Sequence, residues 1–456
     1  MFAVAVLGFA AVLVADWPGH FPPDALTQLA QGRAGVFNSW HPPVMAWLLG
    51  LADKIIPGAP LFIVLQAGLF FAALAGLAAA SRPGWLAAGM VGLLAASPIV
   101  LIYQGLVIKD VLFADAALAG FAAIALAARW WEERRARLFL IAIALAALTL
   151  AALTRQNGII AAAAGALCLA AVAADRARRA GSRPLPPFLA TVLVSMTVVG
   201  AAAVAATAWF TAHGDHRPEG ARQWAVLALF DLAGEARRDP AVALPLLHRR
   251  APALEEFTRR DAAGAYDPTR VDTLARAPRW DEFMLAPSPL LLAQWRQSLL
   301  SAPGAYLATR GEVFRQMYFQ PNIEVCSPVL VGVDAGDPVL LRDAGMSARE
   351  TDKDDWDGDY EDQALHSPIF SHPAYTLIAL ILLILAGRDV ARGGRPEMIA
   401  TVGLLASALA FTASFWVIAL GCDYRYLYFL DAAAMAALVQ RAALLRLPVR
   451  RPPPRR

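Results

Sequence analysis

The chain has 456 residues, of which 58% are hydrophobic, and a mean hydropathy of +0.50. Apolar runs of about 20 residues recur along it, which excludes a soluble globule and reads as a mainly α, polytopic membrane protein. The net charge of +3 conceals a segregation, because residues 212–370 carry 25 of the 37 acids but only 17 of the 40 bases; this pattern predicts basic cytoplasmic loops and one large exported domain.

In chain order, apolar stretches predict about ten spans, near 1–15, 60–80, 84–102, 108–128, 137–153, 158–174, 187–211, 371–387, 397–420 and 426–445. The first is short for a span, at about 15 apolar residues. It starts at Met1 with no basic residue ahead of it and no small-x-small site before Asp16, which points to a truncated start rather than a cleaved signal peptide. The next apolar stretch, VMAWLLGLADKII at 44–56, is too short to cross and carries Asp53 and Lys54, so it is expected to be re-entrant or juxtamembrane. With that one assumption every dense arginine cluster falls in the cytoplasm: Arg129, Arg134, Arg135 and Arg137; Arg176, Arg178, Arg179 and Arg183; Arg388, Arg392 and Arg395; and the tail RLPVRRPPPRR. The organisation that results is an N-terminal membrane module (1–211) with a first outer loop at 16–59, an exported domain (212–370), and C-terminal membrane helices with a basic cytoplasmic tail (371–456).

The same parity puts the polar residues of the apolar half on the opposite face. They are Asp16, Asp24, His41, Tyr103-Gln104, Lys109-Asp110, Arg155-Gln156-Asn157-Gly158 and Asp423-Tyr424-Arg425-Tyr426. A charge at the centre of a membrane helix costs about 2.5–3.5 kcal/mol on insertion scales, so several converging on one rim point to a shared site. Taken singly, each also fits an ordinary interfacial or snorkelling residue. Lys109 is the sharpest, one of only three lysines against 37 arginines, inside the apolar run GLVIKDVLFADAAL. Neighbours on a helix point about 100° apart, so Lys109 and Asp110 are expected to face different partners. In LTRQNG, Asn157-Gly158 marks a turn, and Arg155 supplies a guanidinium fork suited to phosphate oxygens.

In the exported domain, helical spacing in VALPLLHRRAPALEEF and PLLLAQWRQSLL predicts helices bounded by Pro287, Pro289 and Pro303. The aromatic run Tyr306, Phe314, Tyr318 and Phe319, with Met317, reads as packing. The acidic run at 352–359 fails the EF-hand test: with Gly358 at loop position six, Lys353 falls at position one and Ala364 at position twelve. It is expected to be a solvated acidic loop, with divalent-metal binding left open and no cofactor expected. Cys326 and Cys422 both fall on the exported, oxidising side, which predicts a disulfide between them. Phosphate-loop, H-E-x-x-H, C-x-x-C and dinucleotide motifs are absent from the sequence. The basic tail suits the anionic inner leaflet rather than nucleic acid.

An Asp soon after the first apolar segment, then Gly32 and a Trp40-His41-Pro42-Pro43 entry into a hydrophobic helix, resembles the GT-C superfamily of membrane glycosyltransferases. The later stretches KDVLF, LTRQNG, QWAVLALFDLAGE, AYDPTRVD and SAPGAYLATRGEVF are similar to a bacterial branch of multi-pass proteins near that superfamily. The resemblance implies an inverting transfer of sugar from a polyprenyl-phosphate donor to a glycan, lipid or protein acceptor, at the periplasmic face of a bacterial inner membrane. It implies Asp24 as the general base, with Asp16 as its rival, and Lys109, Arg155 and Arg425 as holders of the donor phosphate. His41, Asp110, Asn157, Tyr103 and Asp423 would support them. The chain departs from the pattern in having Ala25 where better-known branches pair Asp with Glu, and His41 where some carry a second acid. The other reading is a transporter or flippase for a lipid-linked solute, which calls for inverted repeats and broken midplane helices in both halves.

Overall fold

A computed structural model describes residues 1–38, 40–82, 84–213, 219–285, 287–333 and 338–445, leaving aside the side chains of 219–221. The basic tail RLPVRRPPPRR lies outside the described residues. Helices of eight residues or more are numbered α1 (Phe2–Asp16), α2 (Pro23–Ala34), α3 (Val44–Ile55), α4 (Leu61–Ala80), α5 (Trp85–Ala95), α6 (Pro98–Gly105), α7 (Lys109–Arg129), α8 (Arg134–Thr154), α9 (Ile159–Arg179), α10 (Leu185–Ala212), α11 (Glu219–Arg238), α12 (Pro289–Ser301), α13 (Pro303–Phe319), α14 (Asp352–Asp362), α15 (His372–Ala391), α16 (Met398–Ile418) and α17 (Tyr428–Leu444). Among the described residues there is no β-strand beyond isolated bridges, so the fold is that of a mainly α polytopic membrane protein.

Among the described residues, eight helices are each long and apolar enough to cross a bilayer, where the sequence predicted about ten spans. Two departures account for the difference. Helix α1 has only 15 residues, and the stretch expected as one span at 84–102 is broken into α5 and α6, bent by 65°. The break falls at Ser97-Pro98, where the proline has no N–H to continue the helix and pushes its predecessor out of the α region. Hydropathy runs unbroken through this joint, so composition alone reads it as one rod.

Helix α7 is the buried axis of the bundle, packed by α4, α8, α16 and α17. Its Ala-rich surface lets neighbours approach closely, which is how membrane helices gain packing without a hydrophobic driving force. Helices α10 and α15 lie at the periphery and present Leu189, Leu193 and Val204, and Leu377, Ile381 and Ile384, outward, as lipid-facing helices must. Twenty-one residues make α7 about 30 Å long. Lys109 stands at one end of it; at the other, Arg129 joins Arg82, Arg176, Arg179 and Arg395 around one cavity. The arginine-rich ends and the polar cluster described below therefore occupy opposite ends of the bundle.

Helix α3, with 12 residues, is too short to cross. It lies against α2, and the two backbones meet at Gly32 and Gly50, where a methyl group on Gly32 would sit 2.7 Å from the Gly50 nitrogen. Arg33 on α2 then grips Asp53 on α3 with two N–H donors at 2.9 and 2.6 Å. Trp47 and Ile55 face outward from the pair.

Between α10 and α15 the chain builds a helical unit. Asp231 on α11 accepts from Trp295 of α12 and Arg310 of α13, both at 2.7 Å, and Arg310 donates at 2.6 Å to the Ala419 carbonyl beyond α16. The aromatic run on α13 packs against the membrane helices, with Phe314 stacked on Tyr318 (5.4 Å) and set against Trp416 (5.0 Å). A disulfide joins Cys326 to Cys422. The acidic run is not the solvated loop expected from its composition: it forms α14, opened by a Thr351–Asp354 capping box, and Asp354, Asp357 and Glu361 are buried. Those three recur at three- and four-residue spacing and so share the face that packs against α1 and α6.

Candidate active site

Helix α2 begins where Pro22-Pro23 presets the backbone, with Pro23 at its first position and Asp24 next. The Asp24 carboxylate thus sits at the positive end of a helix. Gly35, at φ +66°, closes α2 in the left-handed conformation, and the chain returns through His41-Pro42-Pro43 into α3. Lys109 and Asp110 open α7. The approach to α7 is pinned by backbone bonds, with Val107 donating to His20 and His20 donating to Gly105 at 2.9 and 3.0 Å. It is pinned again by buried Gln66, whose amide donates to the Tyr103 and Leu106 carbonyls left over at the end of α6.

Four distant segments meet here. Arg425 donates to Asp24 at 2.9 Å, Lys109 donates to the same Asp24 oxygen at 3.5 Å, and His41 Nε2 lies 3.7 Å from the other. Lys109 also donates to His41 Nδ1 at 2.8 Å, which leaves the ring's remaining N–H directed at Asp24. Asp110 pairs with Arg155 and lies 4.0 Å from Arg425. Arg425 is shared with Asp423 at 2.5 Å. The Arg155 guanidinium stands over Phe411, Phe415 and Tyr426 at 5.7, 5.3 and 5.6 Å. Asn157 donates to Ser414 at 3.0 Å, tying the start of α9 to the end of α16. Three cations thus face three carboxylates around a neutral imidazole.

Burial by itself would raise the Asp24 carboxyl, but Arg425 first and Lys109 second overcome it and hold the group well below the usual carboxylate range. His41 is pushed down to about 3, by burial first and by the Lys109 ammonium second. Asp24 is therefore an anion and His41 uncharged at neutral pH. Asp24 remains 28% exposed, the most open of the acids in direct contact with these cations apart from Asp423 at 31%. A cavity of about 190 Å³ opens beside His41, lined also by Thr27, Gln31, Asn38, Trp40 and Arg222.

Of the residues singled out from the sequence, the structure brings Asp24, His41, Lys109, Asp110, Arg155, Asn157, Asp423 and Arg425 together. It does not bring in Tyr103, which is buried and stacked on Tyr428 at 4.4 Å. Nor does it bring in Asp16, which forms a separate buried group with His20 and Asp357. Sequence reasoning grouped Tyr426 with the polar rim but gave it no role beside Arg155; it missed Ser414, which holds Asn157, and Arg222, whose place beside His41 had no local signal.

No protein-family model and no curated protein matches this chain. Among solved structures it is similar to the oligosaccharyltransferase AglB from Archaeoglobus fulgidus in complex with an inhibitory peptide and a dolichol-phosphate, at 13% identity and a TM-score of 0.41, covering 96% of this chain and 49% of that one. It is also similar to ArnT from Cupriavidus metallidurans bound to undecaprenyl phosphate, at 11% identity and a TM-score of 0.36, covering 97% and 77%. The chain spans about half the length of the oligosaccharyltransferase.

Proposed function

We propose that the protein is an inverting glycosyltransferase that moves a sugar from a polyprenyl-phosphate donor to an envelope acceptor on the outer face of the cytoplasmic membrane. The observation that carries this reading is the contact of one partly open carboxylate, Asp24, with Lys109 and Arg425 at the rim of a membrane bundle. Such a transfer needs two things at once. The acceptor hydroxyl must lose its proton as the new bond forms, and the departing lipid phosphate must have its growing charge met by fixed cations.

The paired state of the cluster suggests how both are met. The cations are paired with Asp24, Asp110 and Asp423. An arriving phosphate competes for Lys109, Arg425 and Arg155, and each cation it captures is lost to the carboxylates. Asp24 then sheds the contacts that hold its basicity down, so donor binding readies the base. The sugar carbon is attacked from the acceptor side and the lipid phosphate leaves toward the cations, so no covalent enzyme intermediate is required. The arginine-rich opposite end of the bundle suits the cytoplasmic leaflet, which supports an outer location for this rim and the 212–370 unit. Incubating the purified protein with a panel of radiolabelled polyprenyl-phosphate sugars and envelope acceptors tests the reading. Transfer that depends on the lipid donor supports it, and facilitated movement of an intact lipid-linked solute with no bond cleavage replaces it with the transporter reading.

A further inference from the structure

A second group of ionisable side chains lies on the other flank of the loop that carries Asp24. Asp16, the last residue of α1, His20 in the loop, and Asp357 on α14 are 1%, 1% and 0% exposed, and each offers a ligand atom within 4.8 Å of the others. Glu361, one turn after Asp357 and also fully buried, adds a third carboxylate to the same face of α14.

The hydrogen bonds of this group are incomplete in an informative way. The Gly332 N–H donates to His20 Nδ1 at 2.9 Å, which fixes the neutral tautomer and leaves the proton on Nε2. That N–H points at Asp16 Oδ1, 3.3 Å away. Asp354, 3.6 Å from the ring, is already committed to its cap with Thr351. What remains is Asp16 Oδ2 and both oxygens of Asp357, all buried, with no N–H or hydroxyl of the protein on any of them; their one contact is carboxyl to carboxyl, between Asp16 and Asp357. Lys353, the nearby cation, is half-buried and donates to the Trp17 carbonyl at 2.7 Å. Buried carboxylates of this kind require either a counter-charge or a proton.

We propose that Asp16 and Asp357, with Glu361 beside them, bind a divalent cation through oxygen atoms alone. His20 spends its one N–H on Asp16 and acts as a positioning residue, setting which oxygen of that carboxylate is free. An all-oxygen set selects a hard ion such as calcium over zinc. The ion fastens α14 to the end of α1. Because Phe21 also bridges to Val333, it braces the short loop that leads into Asp24.

The test uses the full chain in detergent, stripped with EDTA and exchanged into metal-free buffer. Adding calcium is expected to raise the Tm by roughly 3–6 °C, with about one ion retained per chain by elemental analysis. Asp357→Asn should abolish both effects. If that variant does not fold, Glu361→Gln, which keeps the shape, should weaken calcium retention about tenfold or more. A wild-type Tm unmoved by chelation and by added calcium, magnesium or manganese overturns the proposal. So does an equal rise in Asp16→Asn and Asp357→Asn. A metal-free protein that is stabilised only by acidification also overturns it, since the carboxylates would then be sharing protons.

Discussion

Arg425 reaches Asp24 across 401 positions of the chain, donating at 2.9 Å to the oxygen that Lys109 also touches. The base proposed for the reaction is thereby held by the same cations proposed for the donor phosphate, and the two roles can be separated by substitution.

Asp24→Asn removes the acceptor of the proton while keeping the shape of the side chain. Turnover is expected to fall by about 10²–10⁴-fold, with donor affinity kept or improved because Lys109 and Arg425 are released. Single-turnover transfer alongside equilibrium binding of a polyprenyl-phosphate checks it; unchanged transfer in a folded variant removes Asp24 from the chemistry.

Arg155 is held over three aromatic rings and paired with Asp110. Lys at this position keeps the charge but loses the planar fork, so Arg155→Lys is expected to raise the donor KM about tenfold, about 1.4 kcal/mol, with a smaller effect on the acceptor KM. Equal changes in both would point to a general loss of structure.

His41 titrates at about 3 in the folded protein against an ordinary 6.5. The unfolded chain therefore takes up a proton that the folded chain refuses. The His41 contribution to stability is complete above about pH 6.5 and is lost as pH falls from there toward 3. The depressed Asp24 acts in the same direction but only below its ordinary 3.8. His41→Asn should reduce the fall in Tm between about pH 6.5 and 4, while buried His20, held near 4, keeps its own share of the slope. Identical slopes in the two proteins would contradict the neutral assignment of His41.

Gly32 and Gly50 allow α2 and α3 to touch backbone to backbone. Gly32→Ala is expected to cost about 1–3 kcal/mol as the helices are forced apart. The loss should appear as a lower Tm together with reduced turnover, because α2 carries Asp24 and the chain reaches α3 through His41.

Buried Arg310 and Asp231 link the 212–370 unit to the segment after α16. Arg310→Met leaves Asp231 buried without its cation and only partly satisfied by Trp295, at an expected cost of about 3–5 kcal/mol. Asp231→Leu combined with Arg310→Met should recover much of it, and thermal denaturation of the three variants measures the difference.

The membrane architecture was legible because a span is a local property: about 20 apolar residues announce it wherever they pack. The rule that placed α3 outside the spans was equally local, resting on its length and on Asp53 and Lys54. The bend at Pro98 was visible only as one proline in a run of unbroken hydropathy. Asp24, His41, Lys109, Arg155 and Arg425 could be grouped by sidedness, but which cation meets which carboxylate is a three-dimensional fact that no spacing encodes. Tyr103 looked polar in sequence and proved to be part of an aromatic stack. The acidic run at 352–359 looked like a solvated loop because its partners, Asp16 and His20, lie more than 300 positions earlier.

That Asp24 is partnered by Arg425 also bears on how the protein is made. Asp24, His41 and Lys109 leave the ribosome early, whereas Arg425 follows only after the whole 212–370 segment and two further membrane helices have been synthesised. Throughout that interval the carboxylate has Lys109 and His41 beside it but not its closest cation. Insertion of α17, which follows Arg425, is thus the step that completes the cluster, and a nascent chain interrupted before it carries the proposed base without its nearest cation.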